Sequence, residues 1–136
     1  MVKNYFYLIV GVLCILFAVT HTFNGVNTTL QALDSSVIGN SAKVAFKYVW
    51  HIIGIENLVF GIALIIMAFQ KSLSNVRFAA WLIIAILALR WIVISAFTLM
   101  ESSGGILQIL PDTVAILVVI ILLIIGTRVR DKILYE

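Results

Sequence analysis

Charge is what this sequence has least of. Lys, Arg, Asp and Glu together supply 11% of the 136 residues, against about 25% in soluble globular domains. Hydrophobic residues supply 63%. Only an apolar solvent makes such a composition workable, so the chain reads as an integral membrane protein. The small net charge of +3 comes with no Lys/Arg cluster interleaved with aromatics, which excludes nucleic acid as a partner. Cys14 is the one cysteine, so no intrachain disulfide can form. Lying in an apolar run, it reads as a small core or lipid-facing residue. No small-x-small cleavage site closes the first apolar run, which reads as a retained helix. Internal repeats, low-complexity tracts, a nucleophilic Ser elbow and a metalloprotease motif are all missing.

What is present is four apolar runs, at about 4–23, 47–69, 76–100 and 111–127. Each approaches the roughly 20 residues that a spanning helix needs. The expected fold is all-α: an integral membrane antiparallel four-helix bundle forming one transmembrane domain over 1–136. The connections are unequal. Gln70 to Asn75 reads as a tight turn. Glu101-Ser102-Ser103-Gly104-Gly105 reads as a flexible loop leading to Pro111, the only proline, which suits a first helical turn with Asp112 or Thr113 as cap. The first connection, from Asn24 to Phe46, is longest; around Thr29 to Ile38 it is weakly amphipathic and fits a short interfacial helix.

Orientation follows from the basic residues. Four spans place both termini on one side, with Lys3, Lys71, Arg77, Arg128, Arg130 and Lys132, while the other side holds only Lys43 and Lys47. The positive-inside rule then makes both termini cytoplasmic.

The second run opens with Trp50-His51-Ile52-Ile53-Gly54-Ile55-Glu56-Asn57. Polar groups in hydrocarbon cost several kcal/mol unless paired, so each of these needs a partner or a wet cavity. At 1.5 Å per residue Glu56 lies roughly 13 Å below Lys47, and Arg90 on the next run roughly 16 Å below Glu101. The two charges therefore reach one level and can neutralise each other, as a functional group or as a lock on helix pairing. His21 and His51 fall at like heights in the outer leaflet. His51 and Glu56 are about 140° apart around their helix, which speaks against a compact dyad and for a cavity bordered by several helices. Each polar residue also has a plain structural use. A lone interfacial histidine bonds a backbone carbonyl or a headgroup, Asn57 serves as interhelical glue, and Gly54 and Gly61 permit close helix contact. Tyr48 and Trp50 suit the outer aromatic belt, Trp81 the inner one, and Trp91 can stack on a guanidinium.

The stretch Leu16-Phe17-Ala18-Val19-Thr20-His21-Thr22-Phe23-Asn24-Gly25, followed by Glu56-Asn57-Leu58-Val59-Phe60-Gly61, resembles a group of small bacterial four-helix membrane proteins with a Gly-His-Thr motif ending the first helix. Thr20 stands where that group usually has Gly. The resemblance covers about half the chain and brings no activity. It implies that His21 belongs to a site and that the protein resides in a bacterial cytoplasmic membrane.

Three functions compete. The first is an outer-leaflet polar cavity of His21, His51, Glu56, Asn57 and Arg90. It would bind, and could transport or modify, a small amphipathic or anionic ligand such as a lipid headgroup, with Arg90 as the anion-binding group. The same groups could support general-base chemistry, with no motif to strengthen that enzyme reading. The second is electron transfer through a haem b held axially by His21 and His51. The third is a non-catalytic subunit or regulator whose polar groups pair with another membrane protein, in a homo-oligomer or larger complex. Two histidines with only Glu56 nearby make a poor metal site.

Overall fold

A computed structural model of the chain describes residues 1–101 and 105–129. In chain order it has α1 (Tyr5–Asn24), a π-helical turn (Gly25–Thr29), α2 (Leu30–Ser35), α3 (Asn40–Ala68), α4 (Ser74–Glu101) and α5 (Ile106–Arg128). Among the described residues four stretches are long and apolar enough to cross a membrane: Tyr5–Ser35, Asn40–Ala68, Ser74–Glu101 and Ile109–Thr127. In each, only 17–28% of the most apolar window is buried within the protein. The remaining apolar surface requires a hydrocarbon solvent, in agreement with the composition. The expected Ser102-Ser103-Gly104 loop, and Arg130 and Lys132 of the basic side, lie outside the described residues.

The helices run further than the sequence pattern implies. The first connection is mostly helical: the short helix expected around Thr29 to Ile38 is α2, α1 runs into it through the π turn, and the non-helical joint is only 36–39. Asn24 is the last residue of α1 but does not stop the helical path; its φ of −63° and ψ of −41° keep it helical into the π turn. The third apolar helix begins at Ser74 and the fourth at Ile106, so Pro111 is inside α5 and not in its first turn. Hydrophobicity marks where a helix is immersed, whereas backbone hydrogen bonding carries it on into the interface. Proline at the sixth position of α5 removes one i→i−4 bond and leaves the carbonyl of Leu107 without that donor.

Two compact units divide the chain, Met1–Val10 with Ile66–Glu136, and Gly11–Ile65. In the first, α4 and α5 pack along one another. Ala80, Ile83, Ile84 and Leu87 form the buried stripe of α4, at the i, i+3, i+4, i+7 spacing of one helix face, and Val119 and Leu123 are buried on α5. Asn4 joins three helix ends of this unit. Its Oδ1 accepts from Tyr7 N–H at 3.2 Å, capping α1. Its Nδ2 donates to Gly126 O at 2.8 Å, and its backbone N–H, with that of Lys3, donates to Ala68 O. Asn4 is 1% exposed, so this is a buried polar joint. Tyr7 lies on Gly126 so closely that a methyl there would stand 2.8 Å from the ring.

In the second unit, α1 and α3 meet through small residues. A methyl at Gly11 would come 2.9 Å from Gly61 O, one at Gly61 2.8 Å from Gly11 O, and one at Gly54 2.9 Å from Thr22 Oγ1. Partner numbers on α3 fall as those on α1 rise. Gly54 and Gly61 thus serve close helix approach, where dispersion between backbones replaces the hydrophobic effect that lipid does not supply. Among the described residues every buried side-chain nitrogen and oxygen has a hydrogen-bond partner, as a chain in a solvent without hydrogen bonds requires.

Candidate functional site

His21 sits in the last turn of α1, and what it meets is Trp50 of α3. The rings stack at a centroid distance of 4.4 Å with planes 10° apart. His21 Nε2 lies 3.1 Å from Trp50 O, and Trp50 Nε1–H donates to His21 O at 3.2 Å. Because a carbonyl can only accept, Nε2 carries the proton in this contact. Haem ligation through that nitrogen would require the bond to Trp50 to break. Phe46 extends the stack, 5.9 Å from Trp50. Gly25 opens the π turn directly against the indole, and an added Cβ would fall on Trp50 Nε1. A glycine is therefore required where the chain crosses the ring, and the wider π turn carries the helix past it. Trp50 is a structural partner of His21 and not merely a residue of the aromatic belt.

Beyond this clasp a groove of about 350 Å³ opens, lined by Val26, Leu30, Gln31, Asp34, Lys47 and His51. Its walls are two stripes of four-residue spacing: 26, 30 and 34 on the π turn and α2, and 47 and 51 on α3. Asp34 and Lys47 bridge the walls, with Lys47 Nζ 2.7 Å and 2.9 Å from the two carboxylate oxygens. The pair stays solvated, its side chains 54% and 40% exposed, so it contributes little to stability. Lys43, one turn earlier on α3, donates to Asp34 O and Ser36 O at 2.7 Å each. A cation there satisfies carbonyls at the end of α2 and holds it on α3. Of the lining residues His51 is exposed and Leu30 is buried.

Of the residues expected to form one cavity, His21, His51, Glu56 and Asn57 belong to the second unit. Asn57 is buried on the α3 face that carries Gly54 and Gly61, and Glu56 is half-buried. His21 is brought to Trp50, and His51 to the groove. Arg90 belongs to the first unit, half-buried on α4. Beside it Trp91 donates from Nε1 to Thr113 Oγ1 of α5 at 3.3 Å, a use for that indole other than stacking on a guanidinium. Glu56, Asn57 and Arg90 are all engaged by partners, as membrane-depth polar groups must be.

Asp34, Lys47 and Gln31 were not among the expected site residues. For Lys47 the signal was present in the spacing of Lys43, Lys47 and His51, a polar stripe at steps of four that begins before the apolar run and enters it. Comparison with protein-family models, curated proteins and solved structures gives no match to this chain.

Proposed function

We propose that the protein is a multi-pass membrane protein of the bacterial cytoplasmic membrane, an antiparallel four-helix bundle with both termini cytoplasmic, which binds the headgroup of an amphipathic ligand in its outer leaflet. His51 and Lys47 would meet the headgroup in the groove, and the stack of His21 on Trp50 would hold α1 against α3. Glu56 and Asn57 would lie deeper on α3, and Arg90 within α4, each engaged by partners as polar groups in a membrane span must be.

The groove at the α2–α3 end is the observation that carries this reading. Its volume lies in the range of small-ligand sites, about 300–1,000 Å³. Its height fits as well. Tyr5–Ser35 has 31 residues and α3 has 29, about 46 Å and 43 Å of helix at 1.5 Å per residue, whereas the hydrocarbon core takes only about 30 Å. With the apolar runs immersed, the excess of both helices stands at headgroup level, and there the groove lies.

Native mass spectrometry of the protein released from membranes tests the proposal. A bound lipid-sized adduct is expected, reduced in His51→Ala and in Lys47→Gln. Retention unaffected by both substitutions would remove the binding reading. A Soret band in the purified protein would instead favour haem between His21 and His51.

A further inference from the structure

We infer that the occupant of the groove is zwitterionic: the headgroup of a membrane phospholipid that carries an ammonium beside its phosphate. The inference rests on the headgroup reading above and narrows it from any amphipathic or anionic ligand to one charge pattern. The groove is lined by one carboxylate, one ammonium, one imidazole, one carboxamide and two aliphatic side chains. A second cation is near but committed, since Lys43 Nζ already binds Asp34 O and Ser36 O. The polar wall is therefore a balanced pair, Asp34 with Lys47, and not a basic patch.

A purely anionic headgroup would draw Lys47 away and leave the Asp34 carboxylate beside the incoming negative charge. A zwitterion replaces both halves of the pair. Its phosphate oxygens accept from Lys47 Nζ and the His51 ring, while its ammonium donates to Asp34. The exchange is cheap because both side chains are about half exposed and already solvated. Val26, itself exposed, flanks the same groove with Leu30, and these apolar atoms suit the glycerol and first acyl carbons.

The test uses the full-length protein in nanodiscs containing equal phosphatidylethanolamine and phosphatidylglycerol, with retained lipid read by native mass spectrometry. Phosphatidylethanolamine should be retained about three- to fivefold over phosphatidylglycerol, the scale of one solvated ion pair. Asp34→Asn should abolish that preference, Asp34→Glu should keep it, and Lys47→Gln should lower retention of both lipids. Soluble phosphoethanolamine at matching concentration should not displace the lipid; displacement would overturn the lipid as the source. Equal retention by the wild type, or a preference that survives Asp34→Asn, would also overturn the inference. Preferential retention of phosphatidylglycerol that is lost in His51→Ala would overturn the zwitterionic assignment and leave the headgroup reading standing. Retention of neither lipid would overturn both.

Discussion

Gly25 and Asn4 are the residues whose identity the structure constrains most tightly, and neither stands out in a hydropathy profile. At Gly25 the indole of Trp50 fills the space of a side chain. Gly25→Ala must push the ring off His21 or shift the π turn, at an expected cost of about 1–3 kcal/mol. A lowered unfolding midpoint in detergent, together with changed Trp fluorescence, would confirm it; an unchanged midpoint would show that the clasp is loose. Asn4 caps α1 and donates to Gly126 O while fully buried. Asn4→Ala should destabilise by about 1–2 kcal/mol for the cap alone, and more for the buried carbonyl left without its donor. Asn4→Asp keeps the cap acceptor but sets a second oxygen against Gly126 O, so its thermal unfolding midpoint should also fall.

At the scale of elements, the four apolar helices were legible because a water-soluble fold seldom contains an unbroken apolar run of about 20 residues. The close-contact role of Gly54 and Gly61 was legible for a similar reason, as small residues recur where membrane helices touch. The helix ends were not. The stretch from Asn24 to Ser35 is too polar to look immersed, yet it remains helical through the π turn because Gly25 lets the chain cross Trp50 and Lys43 holds the end of α2. These are tertiary causes, which local pattern does not reveal. Pro111 misled in the same way: proline favours a first turn, and here the helix begins five residues earlier. Its missing N–H and ring bulk cost α5 stability, so Pro111→Ala should stabilise the protein by roughly 1–3 kcal/mol. Thermal unfolding checks this, and a loss of stability would mean that the surroundings have been shaped to the proline.

For the whole molecule, the sequence conveyed the solvent, the helix count and the need for partners at Glu56, Asn57 and Arg90, but not the pairing of His21 with Trp50 or the groove. Both depend on the first connection, where the pattern pointed to a short helix but not to what it would touch. Binding in the groove is tested most directly by a photo-reactive side chain at Gln31, which lines the groove, with the same probe at exposed Val44 as control. Irradiated in native membranes, position 31 should yield a phospholipid adduct several times more abundant than position 44. Equal lipid labelling at the two positions, or a protein adduct at 31, would contradict the account.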